Sequence, residues 1–238
     1  MRYYFVFLFA ILTYTLQAQV MLPAYHGVQY KGGGGFASCG TLTINHKAAN
    51  GVAPVDKTVT YGTVTGIPGE PTKCWITRNL GASQQADSVK DATEASAGWY
   101  WQFDRKQGYK HDGTKPPTWS STVYNANTSW SAAQDPCTLE LGAGWRIPTS
   151  TEWTNVDSSS VSNVWRNFND QYNSGLKLHA AGHINNLGLV PTRGAASYYW
   201  SSSIASKGSG RTLYGSPYYS ESSFSNTGDG LPLRCIKD

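Results

Sequence analysis

Glycine and proline interrupt this chain too often for any long helix: 25 Gly and 11 Pro fall within 238 residues, among abundant Ser, Thr and Asn. Glycine frees φ and proline removes a backbone donor, so such a chain folds as short strands joined by turns and not as an all-helical bundle. Only 14% of the residues are charged, against 39% hydrophobic and 13% aromatic, which excludes a disordered tail or a charged coiled coil. The length suits one large domain with a true core, or one domain plus a small appendage. The net charge of +4 is scattered, with no run of Lys or Arg, and so marks no nucleic-acid partner.

The first residues have the parts of a secretory signal. Met1-Arg2 supplies a positive end, Tyr3 to Leu16 is uncharged and mostly apolar, and Leu16-Gln17-Ala18 precedes Gln19. We read residues 1–18 as a signal peptide. The apolar run is shorter than the roughly 20 residues a membrane span needs, and no later segment approaches that length. The expected product is a secreted or cell-surface protein without a transmembrane segment. Residues 19–38, with Lys31-Gly32-Gly33-Gly34-Gly35, read as a Gly-rich flexible lead. Export also sets the reading of Cys39, Cys74, Cys137 and Cys235: an even count outside the cytoplasm means bridges, and the absence of any CxxC argues against a zinc knuckle. Three pairings are open at this stage.

Alternating polar and apolar residues over Gly40–Asn45 and Lys57–Thr65 predict strands with one buried face, an N-terminal β segment within 39–72. Further strands are expected at Cys74–Thr77, Leu176–Ala180, Ser197–Ser201, Arg211–Tyr214 and Leu231–Ile236. The clearest helix signal is Thr149-Ser150-Thr151-Glu152-Trp153, where Thr149 and Glu152 have capping-box spacing and Trp153 and Val156 share a face. Glu152 is therefore read as a cap and not as a catalytic carboxylate. The count of elements favours an α+β domain dominated by β.

Cys74-Trp75-Ile76 with Asn79-Leu80, Gly98-Trp99-Tyr100-Trp101, Cys137, Gly144-Trp145-Arg146-Ile147-Pro148-Thr149, Glu152-Trp153, Ala181-Gly182, Tyr199-Trp200-Ser201-Ser202 and the final Leu233-Arg234-Cys235-Ile236-Lys237-Asp238 follow in order. Residues 73–238 thereby resemble the Fibrobacter succinogenes major paralogous domain family. The resemblance implies an exported bacterial protein with a C-type-lectin-like fold, distantly similar to the formylglycine-generating (sulfatase-modifying) fold through Arg146-Ile147-Pro148-Thr149. It implies that Cys137 pairs with Cys235, which leaves Cys39 for Cys74. It implies no reaction.

Formylglycine generation, as that resemblance would imply it, needs two redox-active cysteines late in the chain, and that region has only Cys235. His179 and His183 lack the Glu of a zinc-protease motif, and no G-x-S-x-G frames a nucleophile. The chain is therefore expected not to be an enzyme. No cofactor is expected beyond a candidate structural calcium at Asn226 and Asp229, residues that equally build any turn. Recognition remains, with glycan or an extracellular protein as partner. The aromatic stretch from Ile204 to Gly230 is the candidate surface, with Arg211, Tyr214, Tyr218 and Tyr219 as ligand-binding residues. Trp75, Trp99, Trp145, Trp153 and Trp200 are assigned to the core, and Trp119 and Trp130 stand as the alternative platform. The second reading is a subunit of a fimbrial tip or envelope assembly, docking through an exposed strand edge within residues 40–65.

Overall fold

Leu42 and Ile44 alternate with Thr41, Thr43 and Asn45, and this pattern pairs strand β1 (Thr41–His46) antiparallel with β2 (Lys57–Val64). The computed structural model describes residues 36–122, 125–158 and 165–238. The signal reading over 1–18 and most of the lead over 19–38 lie outside the described residues. β1 and β2 open a five-stranded sheet completed by β3 (Cys74–Ile76), β11 (Ile236–Lys237) and β6 (Trp145–Arg146), in the order β1-β2-β3-β11-β6. A small sheet joins β10 (Gly230–Leu231), β4 (Tyr100–Gln102) and β5 (Gly108–Tyr109), and a third is the meander β7 (Ser197–Ser206), β8 (Ser209–Gly215) and β9 (Ser220–Asn226). Four short helices complete the frame: α1 (Glu94–Ala97), α2 (Pro136–Leu141), α3 (Ser150–Ser158) and α4 (Phe168–Asn173). The described chain is thus α+β and β-dominated.

Two strand expectations fail in instructive ways. Leu176, Leu178 and Ala180 are fully buried as their alternation requires, yet the segment joins no sheet. Lys177 has φ of 54°, and the neighbouring backbone groups go elsewhere: Leu176 O accepts from Arg234, and Ala180 N donates to Val89 O. The expected strand Leu231–Ile236 splits into β10 and β11, because Pro232 has no N–H to pair and the segment crosses from one sheet to another. The stretch from Ile204 to Gly230, expected as a varied connection, is mostly β8 and β9. Its strand β9 reads Ser-Glu-Ser-Ser-Phe-Ser-Asn, with no apolar alternation to announce it.

The disulfides are Cys39–Cys74 and Cys137–Cys235, the two pairs implied above. Cys137 and Cys235 are both fully buried within a cluster that contains Trp99, Trp101, Trp145 and Trp200. Trp75 and Trp153 anchor a second cluster with Val156, Tyr199 and Leu213. Two of these indole N–H groups find acceptors inside the core, Trp200 donating to Trp101 O at 2.7 Å and Trp153 to Trp200 O at 3.1 Å, whereas the Trp75 N–H is buried without a partner.

The capping box forms as read. Glu152 N donates to Thr149 Oγ1 at 3.2 Å and Thr149 N to Glu152 Oε2 at 2.8 Å. The carboxylate has a second task that the spacing did not reveal, since Arg146 grips it with two donors, at 2.8 and 2.6 Å. Arg146 also reaches Asp238 at 2.7 Å, which ties the chain's last residue to α3. Glu152 is mostly buried, and these contacts hold its carboxyl below the usual range against the cost of burial. Glu152→Gln, which keeps the cap acceptor but breaks the charged fork, is expected to cost about 2 kcal/mol, and Thr149→Ala about 1, by chemical denaturation.

Candidate functional site

The meander places aromatic side chains in a row. β7 and β8 pair so that Tyr198 lies opposite Tyr214, and side chains opposite one another in an antiparallel pair share a face. The tight turn from Ser216 to Tyr219, closed by Ser216 N donating to Tyr219 O at 2.9 Å, brings Tyr219 beside Tyr214. At the other end His183, held by Thr192 Oγ1 at 3.0 Å from Nδ1, meets Tyr198. Ring centroids step 4.6 Å from His183 to Tyr198, 4.9 Å to Tyr214 and 5.5 Å to Tyr219. Exposure rises along the row: the first three rings are half-buried, Tyr219 is 47% exposed, and Tyr218 at the turn is 86% exposed.

Burial and the neighbouring tyrosine push the Tyr198 phenol up to about 12, and burial raises Tyr214 as well. Burial lowers His183, so its ring is neutral. Two carboxylates stand by the row: Glu221 lies opposite Tyr214 across the β8–β9 pair, and Asp229, in the connection from β9 to β10, is felt by Tyr198 through space. Burial lifts the Asp229 carboxyl to about 6, although backbone N–H groups of Asn186 and Asn226 favour the charged form. The row thus offers ring faces, phenol hydroxyls that donate and accept, and an acceptor that is ionised at neutral pH.

Asp229 gives a test of this electrostatic picture. Its folded pKa lies above the value in an unfolded chain, so its contribution to stability is complete below about pH 4 and is lost as pH rises through about 6. Asp229→Asn is expected to raise the melting temperature at pH 8 and to leave it unchanged at pH 4, as read by thermal melts at both values.

No family model, curated protein or solved structure matches this chain.

Of the four residues expected to bind ligand, the structure brings Tyr214 and Tyr219 into contact and sets Tyr218 on the turn beside them. Arg211 does not join them. Three residues from Tyr214 along an uninterrupted strand, it points to the opposite face, paired with the exposed Phe224. The alternative platform is corrected too: Trp119 and Trp130 are 6% and 8% exposed, and their indole N–H groups donate to Asn186 O and Gln134 O. They are packing residues.

The calcium candidates supply too little. Asn226 Oδ1 accepts from Gly228 N at 2.8 Å, and Asp229 is the one carboxylate of the turn. Among the described residues no cluster of three or more His, Cys, Asp or Glu is placed to hold a metal ion. These two side chains alone supply fewer than the about six to eight oxygens a hard cation takes, and backbone carbonyls or water would have to supply the rest. His179 and His183, four apart, have separate surroundings: His179 is sealed in the core and His183 starts the row.

Sequence reading missed His183 and Tyr198 as members of the row. The turn Lys207-Gly208 pairs Ser206 with Ser209, and counting back without interruption would set Tyr198 opposite Pro217. Two irregularities in β7 shift the register by three residues and bring Tyr198 to Tyr214.

Proposed function

We propose that this chain is an exported, noncatalytic recognition module of C-type-lectin-like kind, which binds glycan through the tyrosine row. The observation that carries the reading is the row itself: contiguous aromatic faces that run from a half-buried base to the exposed Tyr218 and Tyr219, with Asp229 beside them. Sugar rings present apolar CH faces to such rings and hydroxyls to such acceptors, and tyrosine supplies contact area at low entropic cost. Two contacts, one in the core and one at its edge, support a framework role for the motifs on which the family resemblance rests. Leu80 N donates to Leu233 O at 3.0 Å, and Arg146, Glu152 and Asp238 form one ion-paired group. The disulfides fit an oxidising destination, and among the described residues no helix is long and apolar enough to cross a membrane. Cys235, the cysteine on which a formylglycine-type oxidation would depend, is bridged and fully buried.

The test is a glycan and matrix-protein array probed with the oxidised chain and with a Tyr214→Ala, Tyr218→Ala, Tyr219→Ala variant that melts like it. Binding at one site is expected to fall at least about ten-fold in the variant, the loss of one or two ring contacts. Unchanged binding would move the site off this row.

A second reading, as a subunit of a fimbrial tip or envelope assembly, draws on β1. It is an edge strand of the five-stranded sheet, six residues long, with β2 on one side and no further strand on the other among the described residues. Such an edge can accept a strand from a partner. Retention of the triple tyrosine variant in envelope assemblies, with no glycan bound by the parent chain, would favour it.

A further inference from the structure

We infer a second, separate binding site, for a carboxylate-bearing sugar ring, in the pocket between the loops that carry His111 and Arg193. Six residues line it: His111, Gly113, Leu189, Val190, Pro191 and Arg193, around a volume of about 410 Å³. Pockets of this order accept small ligands, and a single pyranose ring falls within them.

Two of the lining groups call for an anion. The Arg193 guanidinium donates to Tyr100 Oη at 3.0 and 3.2 Å and to His111 O at 3.2 Å. Among the described residues no carboxylate lies within ion-pair distance of it. It is half-buried and held rigidly with its charge uncompensated, a poor state for a structural arginine and a good one for a receptor. His111 is 5% exposed, and its Nε2 is buried with no hydrogen-bond partner. Its Nδ1 accepts from Gly113 N at 3.3 Å, which puts the proton of the neutral ring on Nε2. A buried N–H donor without an acceptor is costly, and a turn of the ring toward the pocket would let a ligand oxygen satisfy it.

The charges nearby do not fill this role. Asp112, the acidic neighbour of His111, is exposed and accepts from Thr114 N and Oγ1 at 3.2 and 2.8 Å. The Gly188 backbone stands near enough to favour a charged His111 ring without closing a hydrogen bond to Nε2. The Lys115 stem lies against Gly188 and adds a second cation, beside Arg193, on this side of the protein.

The remaining wall is aliphatic. Leu189 is 52% exposed, and Val190 and Pro191 continue the surface. A ligand that suits the site therefore carries a carboxylate for Arg193 and His111 on a body with an apolar face. The lining loops contain no strand edge on which an extended peptide could pair. A hexuronate ring meets both demands.

The experiment is an NMR or calorimetric titration of the oxidised chain with methyl glucuronide, methyl glucoside and an N-acetyl dipeptide free acid. Glucuronide is expected to bind at least roughly ten-fold more tightly than the neutral glucoside, the loss of charge-assisted hydrogen bonds. Arg193→Gln and Leu189→Asp are each expected to lose that preference, and Leu189→Asp keeps the reading decisive if Arg193→Gln, which also frees Tyr100, fails to fold. The triple tyrosine variant should bind glucuronide as the parent does, so failure of the row and failure of this pocket are separate results. Equal binding of glucoside, full binding by folded Leu189→Asp, or dipeptide binding as tight as glucuronide would each overturn the assignment.

Discussion

Cys137→Ala with Cys235→Ala is expected to destabilise the fold by about 4.7 kcal/mol, the chain-entropy value for a loop of about 100 residues. The bridge spans 98 residues in sequence and holds the start of α2 against the segment that enters β11. Alanine is the right replacement, because both sulfurs sit in a fully buried apolar cluster where a serine hydroxyl would add its own desolvation cost. At roughly 2–4 °C per kcal/mol for a domain of this size, the melting temperature should fall by about 10–19 °C. Cys39→Ala with Cys74→Ala should cost less: the bridge closes 35 residues, and Cys39 lies at the exposed entry to β1. A loss below about 1 kcal/mol for the first pair would show that the core closes this loop without help.

The contrast between frame and site follows from what a linear pattern can carry. Strand β1, strand β2 and the capped start of α3 depend on residues within one element, where alternation or a three-residue spacing is the cause of the structure. The tyrosine row depends on register between strands. Tyr218 and Tyr219 were legible because exposed aromatics crowd a turn, but Tyr198 and His183 were not, because two irregularities in β7 decide which residue Tyr198 faces. Arg211 was misplaced for a related reason: near in sequence to Tyr214, it is three residues away on a strand and so on the other face. Glu152 shows the converse, a cap legible from four residues whose partner Arg146 also holds the distant Asp238.

Arg234→Ala is expected to cost about 4 kcal/mol, through the cavity it leaves and the acceptors it abandons. The side chain is fully buried, and among the described residues it has no carboxylate partner. Its guanidinium is held by carbonyl oxygens instead: Nη1 donates to Leu176 O at 2.8 Å and Ile76 O at 3.3 Å, and Nη2 to Asn79 Oδ1 at 2.8 Å. The Tyr199 ring lies under the charge at 5.8 Å. One planar fork therefore fastens the Leu176 segment, which joins no sheet, to Ile76 at the end of β3 and to Asn79 just after it. The neighbouring His179 accepts the arrangement by staying neutral, its pKa driven down to about 3 by burial and by the Arg234 charge. Lysine keeps the charge but cannot span the three acceptors, so Arg234→Lys should recover only part of the loss. Arg234→Met separates charge from packing: it fills most of the volume and removes the desolvated cation, yet leaves Leu176 O, Ile76 O and Asn79 Oδ1 without their donor. Denaturant unfolding of the three variants is the measurement. Stability of Arg234→Met equal to the parent would mean that the fork is dispensable and that packing alone holds Leu176 and Asn79 in place.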